Sequence, residues 1–131
     1  MYQLTAIFNR SCLQDVLQEL FEREIEGVTV SSVIGKGGIG FIEENGDIDL
    51  DEKVRIDIIL SNDIYKELAK EAIRSNAQDT GHGSGKMWVT PVLEVERIRT
   101  GETNEAALTQ SSKSKKVIHD NYYTAIDTPA S

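Results

Sequence analysis

Two glycine-rich segments carry residue types that could bind an anion. Residues 35–40 read GKGGIG, and residues 83–86 read GSGK. Glycine allows backbone N–H groups to approach a phosphate closely, and a neighbouring lysine adds a positive charge. The same composition is also typical of ordinary turns. Residues 83–86 therefore indicate either a phosphate-binding turn or a plain turn.

Neither segment fits the motif of a nucleotide-binding enzyme. Residues 35–40 match the G-x-G-x-x-G pattern of dinucleotide-binding folds, but an acidic stretch follows where that motif needs a helix. A Walker phosphate loop ending at Lys86 would need glycine where Thr80 stands and serine or threonine where Met87 stands. We therefore exclude both a Rossmann-type site and a P-loop.

Catalytic and metal-binding patterns are equally weak. The sequence offers no convincing combination of a nucleophile with a base. His82 and His119 are too isolated to suggest a zinc site. Residues 47–51 resemble the start of a calcium-binding loop, but Glu52 occupies the position that needs glycine. We therefore predict a protein that is not an enzyme and has no metal site and no resident cofactor.

The composition is that of one acidic domain. The chain has 131 residues and a formal net charge of −8, which argues against a nucleic-acid partner. Cys12 is the only cysteine, so an intrachain disulfide is excluded and a reducing compartment fits. No run approaches the roughly 18 apolar residues that span a bilayer, and no secretion signal is recognisable. We predict a cytoplasmic protein.

Hydrophobic periodicity predicts six elements that would position these segments. Alternation marks strands, whereas apolar residues three and four apart mark helices. The predicted strands cover residues 2–8, 27–34, 53–60 and 87–95, and the predicted helices cover residues 11–23 and 62–76. The βαββαβ order predicts an α+β, ferredoxin-like domain with two helices on one face of an antiparallel sheet. The other face of the sheet must also be covered, and association of subunits is the simplest way to cover it.

Three local signals refine these elements. Ser11 followed by Gln14 has the spacing of a capping box, which predicts a capped start of the first helix. Asn62 or Asp63 is expected to cap the second helix. Pro91 lacks an N–H group, so the last strand should have a free side or a break there.

Two stretches lie outside this framework. Residues 35–51 are glycine-rich and then acidic, and Asn45-Gly46 predicts a tight hairpin turn within them. From Thr109 onward Ser, Lys, Asp and Thr dominate, as is typical of a tail. We therefore predict a domain over residues 1–108 and a polar C-terminal tail over residues 109–131.

Three short motifs occur in order on the expected elements. They are GVTV at residues 27–30, GSGK at residues 83–86 and RIRTGE at residues 97–102. Together they resemble the PII signal-transduction family, from Met1 to about Leu108. The resemblance implies a homotrimer of ferredoxin-like subunits that binds an adenine nucleotide in each cleft between neighbouring subunits. ADP or ATP would serve sensing, not turnover.

The resemblance also implies which residues contact the nucleotide. The expected set is Ile7, Gly27, Val28, Thr29 and Ile59 around the adenine, Gly35, Gly37 and Gly38 at the base of the long loop, Gly83, Ser84, Gly85 and Lys86 at the phosphates, and Arg97 and Arg99 across the interface. Backbone donors, a lysine charge and forked arginines are the groups that a phosphate chain needs.

The long loop between the second and third strands corresponds to the T-loop, through which this family contacts its targets. Here it is shortened and acidic, and its expected effector residues are Phe41, Glu43, Glu44, Asp47, Asp49 and Asp51. It lacks the tyrosine that typical members carry. Ile39 replaces the glutamine that helps to bind magnesium and 2-oxoglutarate, so we expect little or no 2-oxoglutarate binding. The target should have a basic surface, and the resemblance implies a protein target such as a membrane transporter.

A second function is left open by the sequence. A trimer that shares this fold could instead bind a metal or another small anion, as the cation-tolerance relatives of the fold are thought to do. Lys86, Arg97 and Arg99 favour the nucleotide interpretation, because they supply the positive charge that phosphates need.

Overall fold

The computed structural model describes residues 1–36, 50–78, 84–108 and 110. The strands are β1 (Tyr2–Asn9), β2 (Val28–Gly35), β3 (Asp51–Leu60) and β4 (Gly85–Pro91), and the helices are α1 (Leu13–Glu22) and α2 (Asp63–Ala77). Short 3-10 helices cover Arg10–Cys12 and Asn104–Ala107. The predicted βαββαβ fold class is confirmed.

The four strands form one antiparallel sheet in the order β2-β3-β1-β4. β1 is therefore central and pairs with both β3 and β4. Leu4 lies opposite Ile58 on β3 and Val89 on β4, and Val28 on β2 lies opposite Ile58. Residues in register across a sheet share a face. This row therefore places four apolar side chains on the same face.

The core lies between that face and the two helices. Alternate residues of β1 and β3 are buried there against one stripe of each helix, which removes both apolar surfaces from water. The main buried side chains are Leu4, Phe8, Val54, Ile56, Ile58 and Leu60 from the strands and Val16, Leu20, Tyr65, Ala69, Ala72 and Ile73 from the helices. The opposite, helix-free face of the sheet carries the residues at the alternate positions, such as Thr5 and Asp57.

Arg23 joins the two helices beyond the end of α1. Its guanidinium pairs with Glu19 on α1. It also donates to Glu71 Oε1 at 2.9 Å and to the Leu68 carbonyl at 3.1 Å on α2. These bonds hold the middle of α2 beside the end of α1.

The two cap predictions have different outcomes. Asn62 caps α2, because its side-chain oxygen accepts the Tyr65 N–H at 2.9 Å. The predicted Ser11 cap is wrong. Ser11 lies within the Arg10–Cys12 turn, and Cys12 precedes α1 with a helical backbone and no side-chain cap. A capping residue needs an extended backbone, and the direct passage from the 3-10 turn into α1 does not provide one.

The last strand is shorter than predicted. β4 lies at the edge of the sheet and ends at Pro91 rather than at residue 95. Because proline cannot donate to a ladder, the chain can leave the sheet there without losing a hydrogen bond. The predicted break at Pro91 is confirmed, and the predicted extension of the strand beyond it is wrong.

Candidate functional site

Gly85 brings the start of β4 into close contact with β1. Its φ angle is +118°, in a region that residues with side chains rarely adopt. A Cβ atom at this position would lie 2.0 Å from the Ile7 carbonyl oxygen and 2.9 Å from the Phe8 Cα atom. Glycine is therefore the residue that lets β4 begin at this point.

A cavity of about 180 Å³ adjoins this contact. It is bordered by the end of β1, the start of β4 and the last turn of α2. Its lining residues are Ile7, Phe8, Ile73, Arg74, Ala77, Gln78, Ser84, Gly85, Lys86 and Met87. The cavity thus brings together four residues that were predicted to bind nucleotide, namely Ile7, Ser84, Gly85 and Lys86.

Arg74 is a cavity residue that the sequence did not single out. It lies in the last turn of α2 and is, with Lys86, one of two basic residues that line the cavity. A basic residue is common in the last turn of any helix, because it interacts favourably with the helix dipole. Its position therefore carried no separate functional signal. Arg74 and Lys86 thus both border the cavity, Arg74 from the helix side of the sheet edge and Lys86 from the strand whose residue 86 lies on the helix-free face.

The cavity is small for a complete nucleotide. Small-molecule sites usually enclose roughly 300–1,000 Å³, whereas the described residues of one subunit enclose about 180 Å³ here. A complete nucleotide would therefore need more space than these residues enclose.

The predicted adenine contacts of β2 lie at the opposite edge of the sheet. They are Gly27, Val28 and Thr29, at and just before the first residues of β2. Thr29 pairs with Asp57 on β3, whereas Lys86 pairs with Ile7 on β1. Since β3 and β1 separate the two edge strands, their axes are about 14 Å apart at a spacing of ~4.8 Å per strand. The predicted residues therefore form two groups within one subunit.

Ile59 and Gly35 lie at opposite ends of the β2–β3 pair. Ile59 is opposite Gln3, close to the end of β3. Gly35 ends β2 opposite Asp51, the exposed first residue of β3, so these two residues form the base of the long loop. Ile59 lies on the helix-free face together with Thr29 and Lys86, because all three alternate with core-facing residues.

Arg97 and Arg99 lie on a C-terminal arm, residues 92–104, that follows β4. The Arg97 guanidinium donates to the Ala107 carbonyl at 3.1 Å and pairs with Glu102 at 3.5 Å. Arg97 is thereby bound within its own chain, whereas the Arg99 side chain is exposed. Of these two arginines, Arg99 is the one placed to reach a neighbouring molecule.

Two apolar side chains of this arm are almost completely exposed. Leu93 is 96% exposed and Ile98 is 97% exposed. Large apolar side chains lose contact with water when such a segment packs against another molecule. The arm therefore has the character of a surface that packs against a partner.

Several predicted site residues lie outside the described residues. They are Gly37, Gly38, Phe41, Glu43, Glu44, Asp47, Asp49 and Gly83. Ile39 and the Asn45-Gly46 turn lie outside them as well. The roles assigned to these residues stay predictions.

Asp57 organises a polar cluster at the centre of the helix-free face. Its carboxylate accepts hydrogen bonds from Thr5 Oγ1 at 2.7 Å, Gln3 Nε2 at 3.2 Å and Arg55 Nε at 3.0 Å. These bonds, that of Arg55 foremost, hold the pKa of Asp57 below its ordinary value, because they favour the charged carboxylate. The middle of the helix-free face is therefore polar and internally hydrogen-bonded.

Acid should weaken the fold through Asp57. A carboxyl group whose pKa is depressed by folding stabilises the folded state above its unfolded pKa of about 3.9. That contribution is lost as the pH falls through the lower pKa of the folded state. We therefore expect the free energy of unfolding of Asp57→Asn, measured with urea, to vary less between about pH 4 and pH 2 than that of the wild type. Asp15→Asn, at an exposed position on α1, is the matched control. An unaltered pH dependence in Asp57→Asn would contradict this assignment.

The described part of the chain contains neither a group of metal-binding side chains nor a membrane-spanning helix. There, no group of three or more His, Cys, Asp or Glu side chains is arranged to hold a metal ion. Neither helix in that part is long and apolar enough to cross a membrane. Cys12 is partly buried beside the core.

The fold and the site together define a class of protein. The chain is a ferredoxin-like α+β domain in which the start of β4, with Gly85 and Lys86, borders a cavity at the sheet edge. A second group of candidate contacts lies at the other edge. Both groups are open to the surface, as expected for ligand binding at the boundary of a subunit.

Comparison with known proteins identifies the family. The family described as nitrogen regulatory protein P-II matches residues 1–102. Nitrogen regulatory protein P-II 1 of Methanothermobacter thermautotrophicus is 39% identical over 113 residues, which cover 82% of this chain and 97% of that protein. Nitrogen regulatory protein GlnK1 of Methanosarcina mazei is 38% identical over 115 residues, with the same coverage. The chain belongs to the P-II family.

Membership in this family confirms the resemblance seen in the three sequence motifs. P-II proteins are non-catalytic signal-transduction regulators, and binding of adenine nucleotides is typical of them. The prediction that the protein is a regulator and not an enzyme is therefore confirmed at the level of the family.

Proposed function

We propose that this protein binds ADP or ATP in clefts between the subunits of a homotrimer and thereby controls a target protein. The observation that carries the proposal is the division of the candidate residues into two groups at opposite edges of one sheet. A nucleotide that contacts both kinds of residue would take one group from each of two adjacent subunits.

The small cavity supports this arrangement. Lys86 offers a positive charge on one subunit next to the backbone of Ser84 and Gly85, and Arg74 lines the same cavity. Those groups suit the phosphates. The adenine would lie against Thr29 and its neighbours on the adjacent subunit, where its ring would cover part of the exposed edge of β2.

The homotrimer is supported by two exposed surfaces. Trp88 lies on the helix-free face of the sheet and is 41% exposed. Leu93 and Ile98 on the C-terminal arm are exposed almost completely. Packing of the arm and the helix-free face against neighbouring subunits would remove these apolar groups from water.

Control of the target is assigned to the acidic loop. Its base, at Gly35 and Asp51, joins two paired strands, so a nucleotide that contacts the base can favour one loop conformation over another. The loop sequence carries several carboxylates, and we propose a target with a complementary basic surface. A membrane transporter is the target class that we favour. The protein would then be cytoplasmic and would reach the membrane through that partner.

The proposal is tested by light scattering and calorimetry on the full chain. We expect a particle of about three times the 14.5 kDa subunit mass and one ADP or ATP bound per subunit. Both nucleotides should be titrated with and without divalent metal ions. A stable monomer would contradict an inter-subunit site. Heat from a metal ion or a small anion, without any from nucleotide, would favour the alternative function of this fold.

A further inference from the structure

Gln110 is buried although it lies in the polar C-terminal tail. It is 2% exposed, and both ends of its side-chain amide are hydrogen-bonded. Its Nε2 donates to the Ile59 carbonyl at 2.9 Å, and its Oε1 accepts the Ser61 N–H at 3.0 Å. The Ser61 hydroxyl also donates to the Gln110 carbonyl at 3.3 Å. Burial of a polar side chain is tolerated when its donors and acceptors are satisfied in this way.

The amide of Gln110 takes the place of a missing strand residue. The ladder between β2 and β3 ends at the pair Val28–Ile58, and the Val28 N–H bonds to the Glu26 carbonyl. In a strand the carbonyl of one residue and the N–H of the second residue after it point to the same edge. The Ile59 carbonyl and the Ser61 N–H therefore occupy the next ladder position on β3, past the residue at which β2 begins. A carboxamide, which is both donor and acceptor, completes the ladder at that position.

This contact joins the tail to the proposed binding site. Ile59 lies on the helix-free face and is a proposed adenine contact. Ser61 directly precedes Asn62, the cap of α2, whose last turn contributes Arg74 to the cavity. The Gln110 amide therefore fixes the short segment that connects the proposed adenine contact with the helix.

We propose that Gln110 is a positioning residue for the nucleotide site, and that its docking and nucleotide binding are coupled. The amide holds the end of β3 in the geometry that the adenine needs. By linkage, bound nucleotide must strengthen the docking of Gln110 by the same factor as Gln110 strengthens nucleotide binding. This inference rests on the nucleotide-binding function proposed above.

The coupling is tested with Gln110→Met, which keeps the length of the side chain and removes both hydrogen bonds. We expect it to weaken ADP binding by roughly tenfold, the scale of one or two ordinary hydrogen bonds. Gln18→Met is the matched control, because Gln18 is exposed on α1 and its side chain donates a hydrogen bond to Glu22 on the same helix. The trimer mass should be unchanged in both variants. Equal ADP affinity of Gln110→Met and wild type would overturn the coupling.

A second measurement needs no variant. In the wild type, saturating ADP should slow hydrogen exchange of the Ser61 amide, followed by NMR, by a larger factor than it slows that of the Ile56 amide in the core. Equal slowing at the two amides would overturn the coupling, because it would reflect general stabilisation of the fold. If the wild type binds no ADP at all, the proposed function itself fails. If it binds ADP and either test is negative, only the role of Gln110 fails.

Discussion

Replacing Gly85 with alanine should destabilise the fold more than any other single methyl addition at a described glycine. The new Cβ atom would lie 2.0 Å from the Ile7 carbonyl oxygen, and that oxygen belongs to the central strand. The residue would also be forced to keep a φ angle of +118° or to shift the start of β4. Backbone strain combined with a clash of this kind costs on the order of 2–4 kcal/mol. Urea unfolding measures the loss directly.

Gly27→Ala is the control for this experiment. Gly27 has no atom within 4 Å of the position that a Cβ would take, so its replacement should leave the free energy of unfolding nearly unchanged. Similar unfolding energies for the two variants would show that β4 does not approach β1 as closely as described. A selective loss in Gly85→Ala would support the close contact that forms the cavity wall.

Replacing Lys86 with alanine should weaken ADP and ATP binding by roughly 1.5–3 kcal/mol, the contribution of a charge-assisted hydrogen bond. The Lys86 side chain is exposed on the cavity rim, so the fold should survive its removal. Arg74→Ala should also weaken binding if the phosphates enter the cavity between β4 and α2. Calorimetry gives both affinities.

Lys70→Ala is the matched control, because it removes one positive charge from the same helix as Arg74 at a position that is not among the cavity residues. Unaltered nucleotide affinity in Lys86→Ala would mean that the phosphate contacts are assigned to the wrong turn. Arg97→Ala is less informative, since Arg97 also supports its own arm through Ala107 and Glu102. Its effect on affinity would combine lost charge with a displaced arm.

The parts of the fold that were predicted from sequence are those with repeated signals. Alternation in β1 and β3 extends over several residues, and it specifies both the strands and their buried face. The Asn62 cap was predictable because asparagine there follows a strand and directly precedes a helical stripe. Ser11 has the same kind of signal, but a 3-10 turn replaced the extended backbone that a cap requires.

Contacts between single residues of distant segments could not be predicted from the sequence pattern. Arg74 enters the cavity because α2 is packed at a particular position over the sheet, which periodicity does not specify. Gln110 lies at the start of a stretch with the composition of a tail, and nothing in its neighbours indicates that its amide completes a ladder on β3. The glycine–lysine motif was visible in the sequence, whereas the close contact that requires glycine at residue 85 depends on how β4 approaches β1.

The central position of β1 has a consequence for how the chain folds during synthesis. Of the four described strands, β1 is synthesised first. Both of its partners are made much later, since β3 begins at Asp51 and β4 at Gly85. Synthesis proceeds at roughly 5–20 residues per second, so the apolar face of β1 stays unpaired for some seconds before β3 is made. The long segments between β1 and its two partners must form loops before strand pairing can stabilise them, and this slows folding. Native pairing of β1 is therefore completed only after most of the domain has been translated, and a chaperone that shields β1 would act mainly in that interval.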